Sequence, residues 1–100
     1  MSYDIGDRRK LTCQIRNEAG QLADPEALFF QMRTPDGETT TYRYGTGTQV
    51  VSESTGLFRV HWDCTQSGFH GYRWVATGSI AAAEESSFLV NQSMFGALPA

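Results

Sequence analysis

The stretch Asp63–Gly78, DCTQSGFHGYRWVATG, brings Cys64, His70, Tyr72 and Trp74 close together in the chain. A cysteine nucleophile needs a base within hydrogen-bond reach, roughly 2.6–3.2 Å. His70 lies across a turn from Cys64 and could approach it. No oxyanion-hole or pocket signature accompanies the pair. Parity points elsewhere. In LFRVHWDC, Cys64 falls on the face of Phe58, Val60 and Trp62, and in RKLTCQIR, Cys13 falls with Leu11 and Ile15. Both thiols therefore read as small buried hydrophobes. A disulfide between them is the sharper alternative; it requires Cα atoms within about 7 Å.

His61 and Asp63 stand two apart on the outward face of one strand and could supply two metal ligands. No third ligand follows by spacing, and an exposed polar strand face accounts for both. Asp36, Glu84 and Glu85 could attract calcium, but no Asp-x-Asp-x-Asp-Gly loop is present. Trp62, Tyr72 and Trp74 could form a sugar-binding platform. Their parity places them inward, as aromatics packed across neighbouring strands. The sequence thus yields no catalytic, cofactor-binding or metal-ligating set, and the expectation is a protein that is not an enzyme and needs no cofactor.

Composition sets the frame for these residues. A chain of 100 residues has the size of one domain. Hydrophobic residues make up 40% and aromatics 12%, which suits a folded core. Threonine, serine and glycine are abundant and lysine is almost absent, a balance that favours strands and turns. The net charge is −3 with no basic stripe, so no nucleic-acid partner is expected. No segment reaches the roughly 18 apolar residues of a membrane span, and no membrane partner is expected. The N-terminus MSYDIGDRRK lacks the apolar region of a secretory signal, so synthesis and folding in a cytoplasm are expected. That setting favours free thiols.

Hydrophobic alternation positions the candidate residues. Leu11, Cys13 and Ile15 alternate with Lys10, Thr12, Gln14 and Arg16, as in a half-buried strand. LFFQMR puts Leu28, Phe30 and Met32 on one side, and TPDGE predicts a tight turn. TTTYRY is the return strand, with Tyr42 and Tyr44 facing alike. TQVV is a short strand, and SESTG a turn closed by Gly56. LFRVHWD turns Phe58, Val60 and Trp62 inward. CTQSGFHG reads as a turn region, and YRWVA turns Tyr72, Trp74 and Ala76 inward. SIAAAEES, from Ser79 to Ser86, has helical propensity but is short and uncapped, and is expected to be a hairpin connection. SFLVN closes the core with Phe88 and Val90. About seven short antiparallel strands with turns between them predict an all-β sandwich or barrel.

The expected organisation is an N-terminal arm over residues 1–8, a β-sandwich domain over 9–91, and an apolar tail over 92–100. The ends carry the partner expectation. Met94, Phe95 and Leu98 follow the last strand without periodicity, and Tyr3 and Ile5 precede the first. Apolar residues beyond a completed domain must pack on that domain or on a partner. Open sheet edges offer a second route to a partner.

The order of DIGDRRKLTCQIRNEAGQLADPEAL, RTPDGETTTYRYG, STGLFRVHWDCTQSGFHGYRWVATG and AAAEESSFLV resembles small immunoglobulin-like structural proteins of tailed bacteriophages and prophages. It is also similar to the macroglobulin-type Ig-like cadence of bacterial surface proteins. The resemblance covers roughly residues 3–91. It implies an immunoglobulin-like β-sandwich with a virion structural role: capsid decoration, minor capsid or head–tail accessory protein. The partners would be other virion proteins or copies of itself, in particles assembled in the bacterial host cytoplasm. It implies no catalytic residues. Two other classes make distinct expectations. A carbohydrate- or ligand-binding Ig-like module requires Phe29, Tyr42 and Phe69 exposed in one patch. A cysteine-dependent enzyme requires a low-pKa thiol at Cys64.

Overall fold

The computed structural model describes residues 2–92. These form eight strands: β1 Ser2–Asp4, β2 Arg8–Gln14, β3 Ala27–Arg33, β4 Thr39–Arg43, β5 Val51–Ser54, β6 Leu57–Asp63, β7 Gly68–Thr77 and β8 Ala82–Asn91. They build two sheets, of order β1-β8-β7-β3-β4 and β2-β6-β5. The three-stranded sheet is antiparallel. The five-stranded one is mixed, because β1 runs parallel to β8, pairing Tyr3 with Val90. All-antiparallel pairing and about seven strands were the expectation. The additional strand is β1, three residues long and too short to show alternation.

The alternating residues meet between the sheets. Leu11, Cys13, Ile15, Phe58 and Val60 come from the smaller sheet and its continuation. Leu28, Phe30, Met32, Trp74, Ala76, Phe88 and Val90 come from the larger one, and all belong to one core. Phe30 and Met32 have no exposed surface. Full burial of a side chain of that size stabilises by about 1.5–3 kcal/mol. Phe30 touches Trp74 edge-on, ring centroids 4.9 Å apart. Tyr42 and Trp62 meet across the sheets at 6.5 Å.

Two turns carry the local logic. Thr34–Glu38 is the expected tight turn, closed by the Gly37 N–H donating to the Thr34 carbonyl at 2.9 Å. Gly37 has φ +89°. The β5–β6 turn holds Gly56 at φ +73° and seats it against the start of the β2–β3 connection. There a Cβ would stand 2.7 Å from the Ile15 carbonyl oxygen and 2.8 Å from the Ala23 nitrogen. Glycine satisfies both demands at once: the left-handed backbone and the close approach. The Gly56 N–H donates to Asp24 Oδ1 at 2.8 Å, and the Gly56 carbonyl accepts from Ile15 N–H at 2.8 Å.

Four local expectations are corrected. The strand expected at TQVV begins only at Val51 and runs on through Ser54, into residues expected to form the SESTG turn. Ser79–Ser86 is not a connection throughout, because β8 begins at Ala82. Residues 82–87 are all exposed, so neither face carries the apolar alternation that marks a strand. CTQSGFHG is not all turn, because β7 begins at Gly68 and carries His70 into the core. Gly68 and Gly71 around that histidine look like turn residues in sequence. Tyr44 is not inward like Tyr42; it lies past the end of β4, 46% exposed, and rests edge-on against Phe58 at 5.2 Å.

Candidate functional site

Among the described residues no hydrogen bond joins Cys64 to His70. Cys64 is buried just past β6, its N–H donating to the Asp7 carbonyl and its carbonyl accepting from Gly6 N–H, both at 2.8 Å. Burial, followed by the nearby Asp7 charge, pushes its thiol pKa up, the opposite of activation. His70 lies within hydrogen-bond distance of the Gly68 carbonyl at 3.2 Å, through Nδ1, and stacks on Phe88. Cys13 and Cys64 are both free thiols. Burial, reinforced by Glu84, pushes Cys13 up to about 12.

His61 and Asp63 are exposed on β6 as expected. Asp63 is bound by Arg8 at 2.7 Å, and that hydrogen bond holds its carboxyl below the usual range. Among the described residues no group of three His, Cys, Asp or Glu side chains is placed to hold a metal. Asp36 accepts from the Thr34 hydroxyl and from Glu38 N–H, which lower its pKa and tie it to its own turn. Trp74 is buried, whereas Trp62 and Tyr72 pack half-buried against the core. Phe29, Tyr42 and Phe69 do not share one patch. Tyr42 faces the core beside Phe30, and Phe29 lies half-buried under the Arg43 guanidinium at 5.5 Å. Phe69 stands at the opposite end of the sheet, six residues along β7 from Val75, the partner of Phe29.

At the N-terminal end, Tyr3 and Ile5 are half-buried against the core of their own domain. Tyr3 meets Phe88 edge-on at 5.8 Å, and the Arg9 guanidinium lies 4.3 Å over the Tyr3 ring. Met94, Phe95 and Leu98 lie outside the described residues.

The most featured surface is the outer face of the five-stranded sheet. Strand register lays it out in rows. Phe29 lies beside Arg43 and Val75; Gln31 beside Thr41 and Arg73, with Glu85 beyond; Arg33 beside Thr39 and Gly71, with Ser87 beyond; Phe69 beside Leu89. Phe69 is 70% exposed, the most exposed large hydrophobic among the described residues. Next to it, an open notch of about 450 Å³ is lined by Gln31, Arg33, Thr39, Gly71, Arg73 and Glu85. Its polar side chains are braced. Arg73 donates to Gln31 Oε1, Gln31 donates to Thr41 at 3.2 Å, and Arg33 donates weakly to Thr39 at 3.5 Å. Sequence reasoning missed this site. The available signal was the parity of Phe69, Gly71 and Arg73, opposite to Tyr72 and Trp74, hidden because Gly68–Gly71 reads as a turn.

No family model, curated protein or solved structure matches the chain.

Proposed function

We propose that this chain is an immunoglobulin-like β-sandwich acting as a non-enzymatic structural protein of a tailed-phage or prophage particle, a capsid decoration or head–tail accessory protein that binds other virion proteins. The fold part of this reading is supported by strand order. With β1 taken as A′, β2 as B, β3 as C, β4 as C′, β5 as D, β6 as E, β7 as F and β8 as G, the sheets read A′-G-F-C-C′ and B-E-D. Labelled in this way, the order follows that of an immunoglobulin sandwich whose larger sheet has gained C′, and this supports the reading. The antibody-type disulfide has no counterpart here, since Cys13 on β2 is free.

The observation that carries the binding role is Phe69, 70% exposed beside Leu89 on the outer face of the larger sheet. Phe69 and Leu89 together offer a partner an aromatic ring with an apolar neighbour, the side-chain type enriched at the centre of contact sites. The virion setting rests on the sequence resemblance. In a particle, symmetry repeats each contact, so a modest single interface becomes firm attachment. The test is light scattering on the purified chain, followed by co-sedimentation with capsids and with tails of the phage or prophage that encodes it. Stoichiometric addition to preformed capsids identifies a decoration protein. Binding only to necks or tails assigns it to the head–tail machinery. A chain that sediments with neither contradicts the reading.

A further inference from the structure

We infer that the notch above Gly71 is a docking site for an extended partner segment that presents a carboxylate side chain to Arg33 and Arg73 and an apolar side chain to Phe69 and Leu89. This rests on the reading of the outer sheet face as the contact surface and specifies the chemistry it recognises.

Gly71 is the first ground. It sits in the interior of β7, where glycine weakens a strand. Its φ lies outside the left-handed region, unlike that of Gly68 at +115°. A Cβ built at Gly71 meets nothing within 4 Å. Neither backbone conformation nor packing therefore requires glycine there. What its missing side chain does is keep the sheet surface open between Arg33 and Ser87. Such an opening lets another backbone approach closely.

Charge is the second ground. The chain carries −3 overall. On the outer face of the five-stranded sheet, however, stand three arginines, Arg33, Arg43 and Arg73, and two carboxylates, Glu85 and Asp4, a balance of 3 − 2 = +1. Among the described residues Arg33 and Arg73, like Arg9, Arg16 and Arg43, have no carboxylate within 4.0 Å. Guanidinium groups held by neutral amide and hydroxyl oxygens retain donors for a planar acceptor. A carboxylate between two of them gains charge-assisted hydrogen bonds.

Spacing is the third ground. The row of Arg33 and Gly71 lies one strand repeat, about 7 Å, from the row of Phe69 and Leu89. An extended segment turns every second side chain to the same side with that same repeat. An apolar residue and an acidic residue two positions apart therefore match the two rows. Glu85, opposite Arg73 on β8, borders the notch and opposes a bound anion.

The experiment is an amide chemical-shift titration of the intact chain with three short capped peptides of central sequence Leu-Thr-Glu, Leu-Thr-Gln and Leu-Thr-Lys. Saturable shifts centred on Phe69, Gly71, Arg73 and Leu89 are expected with the Glu peptide. Replacement of Glu by Gln should weaken it about tenfold, the scale of a lost charge-assisted pair. Arg33→Gln and Arg73→Gln should each weaken the Glu peptide, Glu85→Gln should tighten it, and Gly71→Val should abolish it. Gly71→Val adds a strand-favouring residue in open space, so its melting midpoint should not fall, which separates blocked binding from misfolding. Equal binding of all three peptides, no shift at millimolar peptide, or wild-type binding by Gly71→Val would overturn the inference. If Arg33→Gln and Arg73→Gln leave particle attachment intact while Phe69→Ser removes it, the sheet face remains the contact surface and the carboxylate recognition is wrong. If neither change affects attachment, the contact surface itself is wrong.

Discussion

The imidazole of His70 stacks on the ring of Phe88, centroids 5.0 Å apart and planes 9° from parallel, joining β7 to β8 inside the core. His70 is the one polar side chain among the buried described residues, 1% exposed. Its role is therefore that of a packed ring with a local hydrogen-bond partner in the Gly68 carbonyl. His70→Ala should lower stability by about 3 kcal/mol, as large-to-small core changes do. A urea melt measures this, and an unchanged midpoint contradicts the buried placement.

The two turn glycines give a controlled comparison. Gly37 and Gly56 both have positive φ, but a Cβ at Gly37 meets open space. Gly37→Ala should therefore cost only the backbone term, about 1 kcal/mol. Gly56→Ala must in addition move the Ile15 carbonyl and the Ala23 amide, and should cost clearly more. Equal losses in paired denaturant melts would show that the Gly56 turn does not dock on residues 15–23.

Cys13 supplies a pH dependence. Its folded pKa is raised from 9.0 to about 12, by burial first and then by Glu84. Below pH 9 the thiol is protonated in both states, and its contribution to stability is fully present. Between pH 9 and about 12 the unfolded chain releases the proton while the folded chain holds it, so stability falls as pH rises. Cys13→Ala should flatten that alkaline decline. Native alkylation of Cys13 and Cys64 at pH 8 should be slow, and fast once the chain is unfolded. An alkaline slope identical in the variant would show that the buried thiol is not its source.

These residues also show which parts of the fold are legible in sequence. Leu11, Cys13 and Ile15, or Leu28, Phe30 and Met32, alternate because one face of their strand is covered by the other sheet. Ala82–Ser87 forms a strand with both faces in solvent, so pairing to β7 alone defines it and no hydrophobic period reveals it. His70 was hidden by the glycines around it. The notch was less legible still. It depends on register, which sets Arg33 beside Gly71 and Gln31 beside Arg73, residues about forty positions apart in the chain. Alternation tells which face each residue takes, but not which residues of distant strands become neighbours.

The central proposal is that this chain is a virion structural protein and that the outer face of the five-stranded sheet is its contact surface. The most direct measurement is co-sedimentation of the purified Phe69→Ser variant with capsids and tails of the encoding phage or prophage, alongside wild type and with melting curves for both. Phe69 is exposed, so the variant should melt like wild type and fail to sediment with the particle. A variant that melts normally and still binds stoichiometrically would contradict the account.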